Sequence, residues 1–186
     1  MRHLVAHRFG SVCLIALFAA AWPASAAAQT SHPVEIFGGY AFAHDALNNV
    51  SLPAGWLAGG AIGVNDWLSA VVDVSGGYKT IDAFGSAIRL SAHGAMLGAR
   101  AAAPIGRLTQ FGELLAGVVR GDGAAFGFTN TTNAIALQPG IGVDCPLGAR
   151  IAARAQLSVR FIRSDPGGNE AGYEYRFSGA LVNRIR

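Results

Sequence analysis

From Ile151 to Arg163 the chain reads IAARAQLSVRFIR, and this stretch constrains the fold more than any other. Ile151, Ala153, Ala155, Leu157, Val159 and Phe161 share one parity, while Arg154, Gln156, Ser158 and Arg160 share the other. An extended strand of this kind has one apolar and one polar face. Alternation is blind to which face meets water: in a soluble sheet the arginines look out, and in a membrane barrel they look into the lumen. Composition bears on the choice. Charged residues are 13% of the chain, against about 25% in ordinary soluble domains. Mean hydropathy is positive, yet no long apolar run follows the N-terminal region. The apolar residues must therefore be dispersed at alternate positions over many strands, and too few charges remain to coat a soluble sheet.

The first 30 residues, MRHLVAHRFGSVCLIALFAAAWPASAAAQT, have the layout of a secretory signal peptide. Arg2 and Arg8 precede an apolar run from Val12 to Trp22, followed by Pro23 and small residues that satisfy small-x-small cleavage after Ala28 or Ala26, with Ala28 preferred. The run is too short for a membrane anchor. The expected organisation is a signal peptide over residues 1–28 and one barrel domain over 29–186. Cys13 leaves with the signal, so Cys145 remains alone. An intrachain disulfide and a cysteine metal cluster are both excluded by count, and no cofactor or metal is expected. The small net positive charge is diffuse, with no Lys/Arg-rich run, which argues against a nucleic-acid partner.

Eight extended segments are expected, separated by turn signals: Val34–His44, Gly55–Asn65, Trp67–Ile81, Ile88–Ala102, Leu108–Gly121, Asn133–Asp144, Ile151–Arg163 and Gly172–Ile185. DALNNVSLPA, DAFGSA, DGAAFGFTNTT and DPGGNEA read as loops, and Asn65-Asp66, APIGR and CPLG as tight turns. Long and short connections alternate, as they do in outer-membrane barrels, where an even strand count returns both ends to the periplasm. The expected fold is all-β: an eight-stranded antiparallel up-and-down transmembrane barrel behind a cleaved signal peptide.

A guanidinium facing lipid near the midplane costs about 2–4 kcal/mol, so the charges choose the inward face. The expected lumen lining is Asp73, Lys79, Arg89, His93, Glu113, Arg154, Gln156, Arg160, Glu174 and Arg176. Glu35 and Asp144 join the carboxylates, since a narrow interior requires its charges to pair. The lipid-facing set includes Leu68, Ala70, Val72 and Val74 in the third segment, and Ile88, Leu90, Ala92 and Met96 in the fourth. Aromatic residues collect at membrane interfaces. Tyr40, Phe42, Trp56, Tyr78, Tyr173 and Tyr175 all fall at the loop end with lipid-facing parity; Trp67, with Phe111, is the candidate for the opposite girdle.

The stretch ALQPGIGVDCPLGARIAARAQLSVRFIRSD and the final YEYRFSGALV resemble the small eight-stranded outer-membrane barrels of the OmpA and OmpX type, over nearly the whole chain beyond residue 28. The resemblance implies outer-membrane lipids and the barrel assembly machinery as partners, and leaves the surface partner unidentified. Its usual terminal aromatic residue is replaced by Arg184-Ile185-Arg186. Some such barrels are lipid A deacylases with a His-x-Ser pair, but none of His32, His44 or His93 is followed by Ser at that spacing. No catalytic residue is assigned and no enzyme is expected. The preferred function is a non-enzymatic barrel with a side-chain-filled lumen, serving envelope integrity or surface contact. Two alternatives stay open: a secreted lipocalin-like barrel binding a small hydrophobic ligand, with every parity inverted, and a membrane-embedded lipid A-modifying enzyme.

Overall fold

The computed structural model describes residues 33–46, 49–83, 86–125, 128–164 and 171–185. The segment expected to be a signal peptide, the loop DPGGNEA for the most part and the final Arg186 lie outside these residues. All the regular structure among them is β: β1 Val34–Asp45, β2 Val50–Leu52, β3 Ala54–Gly63, β4 Leu68–Ala83, β5 Ser86–Ile105, β6 Leu108–Ala125, β7 Phe128–Pro146, β8 Ile151–Ser164 and β9 Ala171–Ile185. β1 pairs antiparallel with β2 and with β3, each strand from β3 onward pairs antiparallel with the next, and β1 pairs with β9, which closes the sheet. Closure leaves no row of unpaired backbone groups, the condition for a sheet to stand in hydrocarbon. The result is an eight-stranded barrel, with β2 riding on the end of β1.

The β2–β3 break is a bulge. Ala43 pairs with Leu52 and Tyr40 with Trp56, so the intervening stretch holds one more residue on the β2–β3 side than on β1. Pro53, which has no N–H to give the ladder, sits in the bulge, and its carbonyl accepts a hydrogen bond from the Tyr40 hydroxyl. The extra residue reverses parity, so that Val50 and Leu52 line an inner cavity. At the opposite end the turns are tight. The Asn65 side chain accepts from the backbone N–H of Trp67 at 3.0 Å and of Leu68 at 2.8 Å, and Gly106 takes φ +59° between β5 and β6.

Two expected loops are strand instead. Pairing continues to Ala83 with Ser86 in β4–β5, and to Ala125 with Phe128 in β6–β7, so most of DAFGSA and DGAAFGFTNTT extends the barrel wall. Once two strands are in register, the ladder satisfies their backbone groups whatever the weak propensity of Gly, Asn and Thr. β5, β6 and β7 reach 20, 18 and 19 residues, well beyond the ~9–11 needed to cross a bilayer. That side of the wall projects past the lipid.

Facing follows the charges. Val72, Leu97, Val118, Ile135 and Phe161 are 57%, 67%, 57%, 65% and 52% exposed on the outside, while Arg100, Arg154, Arg160 and Arg176 are buried within. The lipocalin-like arrangement, apolar inside and ionic outside, is thereby overturned. The fourth segment needs a correction: in β5 the even positions point inward. Met96 is buried, and His93 packs against Tyr78 among the outward aromatics. The reason is register. Met96 pairs with inward Asp73, and Arg100, of the same parity, cannot face lipid. Phe111, expected in a girdle, is likewise buried.

The outer wall between the Trp67 and Tyr78 levels should therefore reject charge. Val72→Arg or Leu97→Arg is expected to lower the unfolding free energy in lipid by about 2–4 kcal/mol, while Leu97→Phe changes it little. Urea titration of the barrel refolded into vesicles measures both.

Candidate functional site

The lumen holds two clusters of ionic side chains, and the lower one fills the end that carries the tight turns. Its anchor is Arg154, whose parity in β8 points it inward opposite Asp144 in β7. Arg154 Nε donates to Asp144 Oδ1 at 2.7 Å and Nη2 to Oδ2 at 2.8 Å, a bidentate pair. Nη2 also reaches Glu35 Oε2 at 3.1 Å. Arg184 donates to Glu35 at 2.9 Å and to Asp144 at 3.2 Å. Arg100 donates to Glu113 Oε2 through Nε at 3.1 Å and Nη2 at 2.9 Å, and its Nη1 lies 3.5 Å from Glu35. Gln156 Nε2 completes Glu113 by donating to Oε1 at 2.5 Å.

Glu35, Glu113 and Asp144 thus face Arg100, Arg154 and Arg184, so the cluster is neutral. Two rings insert between the cations. Phe111 lies 4.5 Å from the Arg100 guanidinium carbon and 4.8 Å from that of Arg154, and Phe37 5.4 and 5.1 Å from the same two atoms. Nη1 of both arginines is buried without a hydrogen-bond acceptor, and the ring faces offer the negative potential that acceptors would otherwise supply. Glycine makes room for the rings. A Cβ at Gly142 would stand 2.3 Å from the Phe111 ring, and one at Gly59 2.5 Å from that of Phe37.

The second cluster lies further along the same interior. The Gln138 carbonyl accepts from Arg160 Nε and Arg176 Nη1, each at 2.9 Å. Glu174 Oε1 sits 3.5 Å from Arg160 and 3.6 Å from Arg176, and Ser75 accepts from Arg160 at 3.3 Å. Asp73 is 5% exposed, and its buried Oδ1 has no hydrogen-bond partner. Its compensation is the nearby pair of arginines acting through space.

Of the expected lumen residues, Asp73, Glu113, Arg154, Gln156, Arg160, Glu174 and Arg176 meet in these clusters. Lys79 stands on the inward face beyond them, across from Leu90. Arg89 and His93 do not join: Arg89 is exposed on the projecting wall, and His93 shares a 3.1 Å hydrogen bond with the Tyr78 hydroxyl. Arg100, Arg184, Gln138 and the two phenylalanines were missed by the inward reading. For Arg100 a signal existed, because its spacing from Met96 is even. Tyr40, Trp56, Tyr78, Tyr173 and Tyr175 are all exposed on the outer wall near the loop end, and Trp67 is exposed at the other. Phe42 is only partly exposed. Trp56 Nε1 donates to Tyr78 at 3.4 Å, which ties the belt together across β3 and β4. Beyond the belt the wall carries exposed Arg89, Arg120 and Arg163. There, Thr131 donates to Asp122 at 2.6 Å and holds that carboxyl below its ordinary range.

Removing one partner of a desolvated ionic group strands the others, whereas an exposed pair is worth little. Arg154→Ala is expected to cost about 3–5 kcal/mol. Arg120→Ala, at the exposed Arg120–Asp122 pair, should leave the urea midpoint unchanged.

No family model and no curated protein matches this sequence. Solved structures do match in fold. The attachment invasion locus protein Ail of Yersinia pestis, solved with the heparin analogue sucrose octasulfate, superposes with a TM-score of 0.62 at 13% identity, covering 84% of this chain and 100% of Ail. Neisserial surface protein A gives 0.61 at 16% identity, covering 82% of this chain and 96% of its own. The N-terminal barrel domain of Pseudomonas aeruginosa OprF gives 0.51 at 12% identity, covering 84% and 100%. With an apolar wall, a neutralised ionic interior and these superpositions, the chain has the fold of the small eight-stranded outer-membrane β-barrels.

Proposed function

We propose that the protein is exported through residues 1–28, inserted into the bacterial outer membrane by the barrel assembly machinery, and serves there as a non-enzymatic barrel for envelope integrity or surface contact. The neutral cluster of Arg154, Asp144, Glu35, Arg184, Arg100 and Glu113 carries this reading. It fills one half of the lumen with interlocked, buried side chains, which supports a plugged barrel over a porin-like role. The projecting β4–β7 wall offers a platform outside the lipid, and Arg89 and Arg120 on it, with Arg163 at the end of β8, stand where anionic headgroups of outer-membrane lipids lie. Ail is described as an attachment protein and was solved with a sulfated heparin analogue; the same fold in a surface-contact protein supports that part of the proposal. His93, engaged with Tyr78 on the outer belt, has the environment of an interfacial anchor rather than of a general base, which needs a positioned proton-transfer partner.

The test is fractionation with electrophoresis. The protein should stay with detergent-extracted outer membrane and migrate faster unboiled than boiled, and in planar bilayers it should show no stable large channel. Recovery as a soluble periplasmic protein would overturn the location, and a persistent open conductance would overturn the sealed lumen. His93→Ala should leave the lipid A profile unchanged by mass spectrometry.

A further inference from the structure

The lumen is plugged at one end only. Above the Arg160–Glu174 layer the inward residues become small or aliphatic, and a cavity of about 460 Å³ opens between β1, β2, β5, β6, β7 and β8. Its walls include Leu52, Leu90, Val119, Ala134 and Ile162, and Glu174 forms part of its lining. A filled lumen was the sequence expectation, and this half departs from it because Gly94, Ala92, Ala134 and Ala136 stand where the other half has arginine and phenylalanine. Leu52 enters only through the parity reversal at the Pro53 bulge. A volume of this size lies within the range of small-molecule sites, which combine apolar walls with a few convergent polar groups.

We infer that this vestibule is a binding site for a small organic cation: a protonated amine on a compact apolar body, ring or short chain inward against the aliphatic wall and ammonium toward carboxylate. The charge of the lining selects the sign. Two carboxylates of inward parity line the cavity, Asp45 and Glu174, and both accept hydrogen bonds and cannot donate them; Asp122 borders it from the outward parity of β6, its carboxylate turned to Thr131 and Arg120. Glu174 meets its arginines only at 3.5 and 3.6 Å, and so keeps acceptor capacity for a donor above it. Arg160 and Arg176 lie below, around a much smaller cavity of about 20 Å³, on the far side of the same carboxylate. The competing cation is Lys79, on the inward face of β4 across from Leu90. An anionic ligand would meet the carboxylates of Asp45 and Glu174 in the lining, and a neutral one would leave the apolar burial without an ionic partner. The site is independent of what the outer wall contacts; it needs only the closed barrel.

The probe is phenethylammonium, titrated into the full-length mature barrel in phosphatidylcholine nanodiscs, with 2-phenylethanol as neutral isostere and 3-phenylpropionate as anion. Methyl resonances of Leu52, Leu90, Val119 and Ile162 report occupancy. Saturable shifts confined to these methyls are expected for the cation, with at least tenfold weaker binding of the alcohol and none of the anion. Ala134→Trp, which fills the cavity, should abolish the shifts, and Ala92→Phe gives the same test if the first variant does not fold; the unboiled gel shift verifies folding of each and separates failure of the site from failure of the barrel. Asp45→Asn should weaken the cation and Lys79→Gln should tighten it. Equal affinity for all three probes, retention of the shifts in both filled variants, or no saturable shift with the cation overturns the proposal.

Discussion

A guanidinium cannot face hydrocarbon, and the rest of this structure follows from where four of them go. Arg100, Arg154, Arg160 and Arg176 are buried inside a closed sheet, which fixes the parity of β5, β8 and β9 and, through cross-strand register, that of their neighbours. Once inside, each needs a counter-charge, because desolvating an unpaired ion costs more than any aliphatic contact there returns. The carboxylates of β1, β6, β7 and β9 are drawn to the same levels. The outer surface is then the set of residues left over: apolar, exposed and fit only for lipid.

That dependence explains what the sequence could reveal. In β8 from Arg154 to Arg160 and in β9 from Glu174 to Ser178 every second residue is ionic or polar, so facing is legible from either strand alone. The glycine- and alanine-rich β5 carries little of that information. Read locally, SAH between Ser91 and His93 looks polar and Met96 looks greasy, which gives the wrong phase; Arg100, further along the same strand, carries the right one. Inside the lumen, moreover, apolar does not mean outward. Phe37 and Phe111 lie inward because two guanidiniums need ring faces where acceptors run out, and Gly59 and Gly142 supply the space. Such partnerships join residues on different strands and have no local signature. The projecting hairpins were obscured for a different reason. Gly, Asn and Thr signal loops when weighed residue by residue, whereas here two strands already in register simply continue.

The two halves of the lumen divide the work of stability and opening. The Arg154 half is interlocked: each of its carboxylates meets more than one donor, so loss of one side chain strands several. The upper ionic layer is sparser. Gln138 bridges Arg160 and Arg176 at 2.9 Å, Glu174 does so only at 3.5 and 3.6 Å, and Asp73 keeps an unsatisfied oxygen. A buried polar group in that condition usually marks water, strain or a function that the packing serves.

Why such a layer persists follows from its position beneath the vestibule. Replacing it with apolar residues of equal volume would be tolerated or even stabilising by the general energetics of buried ion pairs, and the aliphatic walls above would then run uninterrupted into the barrel. The layer instead terminates the apolar region with fixed charge. The Glu174 carboxylate lines the floor with Arg160 and Arg176 on its far side, so a donor in the vestibule meets it from above. Closure of the sheet denies lateral access through the wall, so anything reaching Glu174 from this side must come through the mouth and match both the aliphatic lining and the charge at its end.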